Sequence, residues 1–171
     1  MKSALVALAL VAIPAPSWAG QSEDAYCLAS QFRAADAEIY VDELMKSRGE
    51  TGIPFDPALA ICMDGQDWTT DRVGRAIYYA TGLLSRQVYQ DRLERDGVEV
   101  GDVDRWFARQ TEEFRVNAFT SMAAAPREAT IASLTNDGAT SEAMNRHPGL
   151  IGAYLAALVM IERMERDLPV N

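Results

Sequence analysis

The sequence predicts an all-α, single-domain helical bundle of four main helices plus two or three short ones, closed by one disulfide. Three observations carry that expectation. Residues Gly149 to Ile161 run for thirteen positions without a charge. They are apolar on every side of a 3.6-residue wheel, the pattern of a helix buried all round. Upstream, apolar side chains recur at alternating spacings of three and four between residue types that start and stop helices. No stretch of any length shows the period-two alternation of a half-buried strand.

The chain opens with Lys2, an apolar run from Ala4 to Ile13, the breakers Pro14 and Pro16, and the small residues of Ser17-Trp18-Ala19. These are the successive parts of a cleaved signal peptide, with an uncleaved anchor as the competing reading. No lipobox cysteine follows the run. Cleavage after Ala19 divides the chain into a signal peptide (1–19) and a helical domain (20–171), and it sends the mature protein to the periplasm or outside the cell. The domain is long enough for one core. Losing Lys2 changes the formal charge from −9 to −10, with 15 basic residues against 25 acidic ones. Such a surface repels nucleic acid and anionic membranes, whose binding needs clustered Lys and Arg. The apolar run 149–161 reaches about 20 Å as a helix, short of the roughly 30 Å of a bilayer interior. Stable membrane insertion after cleavage is therefore not expected.

The two cysteines, Cys27 and Cys62, are an even count in an oxidising compartment and read as one structural disulfide. A redox or metal pair would be more closely spaced, as in C-x-x-C.

Ser22-Glu23-Asp24 starts a first helix over residues 23–48, with Leu28, Phe32, Ala35 and Ile39 facing inward and Gly49 as its stop. A turn-rich connection with Gly52 and Pro54 leads to the cap pair Asp56-Pro57 and a short helix, Pro57–Met63. The bridge then pins this helix to the first. Trp68-Thr69-Thr70-Asp71 opens the next helix, which runs to Arg95 and stops at Asp96-Gly97, with Val73, Ile77, Ala80, Leu84 and Val88 as its buried stripe. Val98 and Val100 alternate in the following loop, which suits a brief extended segment. Asp102 caps a further helix with Val103, Phe107, Phe114, Ala118 and Met122 inward, ended or kinked at Ala125-Pro126. A short helix over Arg127–Leu134 and a turn from Thr140 precede His147-Pro148-Gly149 and the apolar helix.

Catalytic signatures are scarce. The one histidine, His147, leaves a general base at a single position and excludes a two-histidine metal site within one chain. His147 with Met144, Met160 or Met164 offers a soft copper set, against the simpler assignment of His147 to a helix start and the methionines to the core. Asp96-Gly97 and Gly101-Asp102-Val103-Asp104 invite calcium, but the EF-hand spacing fails. No cofactor and no metal are expected. The catalytic option that remains is a carboxylate pair for glycan cleavage, drawn from Glu112, Glu113, Glu38, Asp42 and Glu43. Solvated acids are the ordinary explanation in a chain with 25 of them.

A surface was the more promising feature. Arg75, Tyr79, Gly82 and Arg86 recur at four, three and four, almost opposite the apolar stripe, with Tyr78 and Tyr89 beside them. Arg and Tyr are enriched at interfaces, and a glycine among them lets another backbone come close. The six residues Arg75, Tyr78, Tyr79, Gly82, Arg86 and Tyr89 thus form the candidate interaction face. The leading functional expectation is an exported protein-binding module (inhibitor, immunity factor, chaperone or envelope accessory) whose partner is another envelope protein. The alternatives are a carboxylate-dependent cell-wall glycan hydrolase and a carrier of a small apolar ligand, with space for it near Gly149 and Gly152.

Overall fold

The structure is a computed structural model that describes residues 19–46, 55–117, 134 and 146–166. Seven helices run through them: α1 (Ala19–Ser30), α2 (Ala34–Lys46), α3 (Asp56–Cys62), α4 (Thr70–Arg95), α5 (Val100–Ala108), α6 (Glu112–Asn117) and α7 (Pro148–Glu165). The fold is all-α, and the apolar run 149–161 lies within α7.

No side chain between Ile151 and Met164 is exposed, and Ile151, Tyr154 and Leu155 are sealed from solvent altogether. The organising position is shared, however. The long helix α4 packs against α7, α1, α2 and α5, and its most extensive contact is with α7. The two run antiparallel: Tyr79 meets Glu165, Gly82 meets Ile161 and Met160, and Arg86 meets Tyr154. Gly82 marks the close approach. A Cβ there would stand 3.2 Å from both Ile161 Cγ1 and Met160 Cβ. We expect Gly82→Leu to lower stability by about 1–3 kcal/mol through overpacking. Gly82→Ala should stay near neutral, because a gain of roughly 1 kcal/mol in helix propensity offsets the squeeze. Urea midpoints of the two variants check this.

Both ends of α4 are built as the sequence suggests. Thr69 Oγ1 accepts from the Arg72 amide at the start. At the finish Gly97 takes φ 76°, while its amide reaches the Glu94 carbonyl and the Val98 amide reaches Leu93. That is a Schellman close, which a β-branched residue at position 97 could not adopt without strain. It also turns Val98 into the core instead of into a strand.

Two expected helices are each divided. The first breaks at residues 31–33. There the Gln31 and Phe32 amides reach back only three residues, to Leu28 and Ala29, and the Cys27 carbonyl accepts from Ser30 Oγ instead. The break changes the phase of the helix that follows. Ala37, Tyr40 and Val41 are buried, whereas Ala35 is exposed and Ile39 is 59% exposed, contrary to the stripe expected of them. What the break gains is an aromatic cluster: Phe32, freed from the helical phase, sits 5.8 Å from Tyr40 and 5.1 Å from Phe55 between ring centroids. The later helix starts at Val100, ahead of Asp102, and divides at residues 109–111. Thr111 Oγ1 accepts from the Phe114 amide there and begins α6 afresh. Phe114 then packs edge-on against the buried Trp106.

Phe55, rather than Asp56, takes the cap position of α3, without a side-chain cap bond. Its buried ring makes it an anchor for that turn. Cys27 and Cys62 are bridged, with Cα atoms 5.9 Å apart, and tie α1 to the end of α3. A second tie runs from α1 to the start of α4. The buried Asp24 accepts two bonds from Arg72, at 2.6 and 2.8 Å, and the same guanidinium lies 4.8 Å from the Trp68 ring centroid.

The expected signal sequence up to Trp18, the turn residues Gly49, Gly52 and Pro54, the positions Ala118, Met122 and Ala125-Pro126, and the turn at Thr140 lie outside the described residues. Of the expected short helix at 127–134 only Leu134 is described, helical and buried. Among the described residues no helix is long and apolar enough to cross a membrane.

Candidate functional site

The candidate interaction face lies on α4, and α7 meets it at Tyr79, Gly82 and Arg86. Tyr79 and Tyr89 are each 4% exposed, and Gly82 is buried beneath Met160 and Ile161. Tyr78 is partly buried against the core. Arg75 pairs with Asp71 one turn back, at 3.0 Å. Arg86 stands beside Tyr154 and lies 3.4 Å from Asp104 of α5. The spacing was informative: an Arg/Tyr row with glycine at its centre does admit another backbone. The helix it admits belongs to the same chain. Of the six residues expected to form one open face, Tyr79, Gly82 and Arg86 thus meet α7 in a partly buried seam, because α4 is apolar or small on more than one side.

That seam is a place of paired polar tips. The Tyr79 hydroxyl donates to Glu165 at 3.0 Å, and the Tyr154 hydroxyl donates to Asp104 at 2.7 Å. On the α2 side Tyr40 and Thr81 lie 2.8 Å apart. The Thr81 hydroxyl donates its proton to the Ile77 carbonyl, so Tyr40 is the donor to Thr81. Burial raises the pKa of Tyr40, Tyr79 and Tyr89, and it pushes Tyr154 up to about 12.

These shifts bear on alkaline stability. An unfolded phenol loses its proton near pH 10, while the buried ones hold theirs to higher pH. Above that value the unfolded state binds fewer protons than the native state, so stability falls as pH rises. Each such tyrosine removes up to about 1.4 kcal/mol per pH unit until its native pKa is reached. We expect helicity to be lost in one step between about pH 10 and 12, together with a burst of tyrosinate absorbance. Ionisation of these phenols with the circular dichroism unchanged would contradict their burial.

The carboxylates considered for catalysis are largely engaged. Glu112 pairs with Arg166, Glu38 with Arg95 and Asp42 with Arg92. Glu113 and Glu43 are exposed. Glu112 belongs to α6, packed on α7, while Glu38 and Asp42 belong to α2, packed on α4. A shallow open cleft is lined by Glu38, Asp91, Glu94 and Arg95, a charged set ill suited to an apolar ligand. Gly149, one of the two glycines considered for a ligand space, is exposed and has nothing near its Cβ direction.

His147 precedes α7, with Nδ1 3.3 Å from Asp96. Met164 lies seventeen residues further on, about 25 Å along a helix, so the two cannot share an ion. Asp102 pairs with Arg105, and Asp104 serves Tyr154 and Arg86. Among the described residues no three His, Cys, Asp or Glu side chains converge as a metal site.

What α7 leaves open is a different surface, which sequence reasoning missed. Among the described residues three large apolar side chains are exposed: Tyr26 (56%), Ile39 (59%) and Ile61 (59%). Tyr26 and Ile61 are the chain neighbours of the bridged Cys27 and Cys62, so the disulfide keeps their backbones close to one another. Tyr26 rests on Tyr79, with ring centroids 6.1 Å apart, and Tyr79 is fixed in turn by Glu165. The one available signal was a large apolar residue directly before each cysteine. Compared with protein-family models, with curated proteins and with solved structures, the chain matches none.

Proposed function

We propose that this is an exported protein-binding module, working in the periplasm or outside the cell on another envelope protein, with its contact surface at the disulfide corner. The carrying observation is the pair of exposed apolar residues set beside the bridge, Tyr26 and Ile61. Binding surfaces draw their affinity from a few large side chains that lose little freedom on contact. Tyr26 fits that description, because Tyr79 and Glu165 brace it from below. Ile61 sits on a helix whose last residue is covalently tied to α1. The acidic composition suits a partner with a basic rim around an apolar centre.

The test is a pull-down from envelope extract with the tagged mature protein, run beside Tyr26→Glu/Ile61→Glu. Both positions are exposed, so the double variant should keep its fold by circular dichroism. We expect the wild type to capture a defined partner and the variant to lose at least roughly 30-fold in affinity, about the loss of two residues each worth over 1 kcal/mol. Equal capture by both proteins would move the contact surface elsewhere. Capture by neither would overturn the binding reading, and glycan hydrolysis with Glu112→Gln as control would be assayed next.

A further inference from the structure

We propose that α2 is a flap that opens as one unit while the Cys27–Cys62 bridge keeps both its ends tied, and that opening uncovers the Thr81 side of α4. Four features meet there. The break at residues 31–33 uncouples α2 from the hydrogen-bond ladder of α1, whose last amides turn back after three residues. The α2 interface is mixed: Ala37, Tyr40 and Val41 are buried, but the flanks are ion pairs, Arg95–Glu38 open to solvent and Arg92–Asp42 partly buried. An exposed pair such as Arg95–Glu38 contributes little and yields to salt.

The buried polar contact is also cheap to break. Thr81 already donates to the Ile77 carbonyl within α4, so withdrawal of Tyr40 leaves no unsatisfied donor on α4. The outer face of α2 carries exposed Ala35 and Ile39, so the helix has apolar residues to bury on either side.

The bridge gives the motion its form. Residues 27–62 are a closed covalent loop with all of α2 inside it. When α2 lifts, α1 and α3 stay joined, and the opening is bounded and reversible. α7 has no comparable freedom, because no side chain between Ile151 and Met164 is exposed.

Native-state hydrogen exchange of the oxidised protein, in rising sub-denaturing urea, separates local from global opening. We expect the amides of residues 38–46 to exchange faster than those of α7 and with little dependence on urea. Ile151→Val, in the sealed part of α7, should speed exchange in α7 by roughly twofold to tenfold by weakening the whole fold. It should leave α2 unchanged if α2 opens without α7. Acceleration of α2 by the same factor as α7, or a common urea dependence for both, would overturn the proposal.

Discussion

Leu155→Asp is expected to abolish folding. Leu155 is fully buried in α7, a helix on which no side chain from 151 to 164 reaches solvent freely. The substitution removes an apolar side chain, worth about 2–5 kcal/mol at such a site. It also leaves a carboxyl group without a partner, at a further cost of several kcal/mol. Together these match or exceed the roughly 5–15 kcal/mol by which a domain of this size is stable. Leu155→Met, close in volume, should cost less than about 1.5 kcal/mol and serves as the control. Far-UV circular dichroism and protease resistance of the two variants decide the matter. A helical, protease-resistant Leu155→Asp would mean that α7 is not the buried helix described.

Removal of the disulfide is expected to have the next largest effect. The bridge spans a sequence separation of 35, for which loop-closure entropy credits at most ~4 kcal/mol. For a domain of about 150 residues, that lowers the melting temperature by roughly 5–15 °C. The bridge should be decisive because α3 is only seven residues long and has few other anchors, with Phe55 and Ala58 buried. Calorimetry with and without reductant, and of Cys27→Ser/Cys62→Ser, should agree on the shift. An unchanged melt, or two free thiols in protein prepared without reductant, would contradict a stabilising bridge.

The fold class was legible because its signals are local or compositional. Thr69 bounds α4 by its side-chain cap and Gly97 by its left-handed backbone, and a chargeless run such as 149–161 calls for cover over most of its length. The breaks at 31–33 and 109–111 were not legible, because long-range packing makes them. Phe32 leaves the helical phase to meet Phe55, and Phe114 leaves it to meet Trp106. The candidate site fared differently again. The row on α4 carried a true signal of close approach, since Gly82 lies within reach of Ile161 and Met160. Periodicity reports that a face will be covered but not by what, and an internal helix leaves the same imprint as a foreign one. The Tyr26–Ile61 pair was missed although the bridge was expected, because sequence does not tell which neighbours of a cysteine stay exposed.

The pairing of α4 with α7 also governs when the protein can fold. Tyr79 and Glu165 are 86 residues apart in sequence, so the main seam closes only after a long loop has been gathered. Helical proteins are usually fast because their contacts are local, and non-local seams slow them. A chain delivered N-terminus first has α4 in hand well before α7 arrives. Until then Tyr79 lacks Glu165 and Gly82 lacks the cover of Met160 and Ile161, and the intermediate exposes a sticky apolar face. Completion of this seam therefore waits for α7 to emerge. That delay makes the eighteen-residue α7 the step that commits the molecule to its native form.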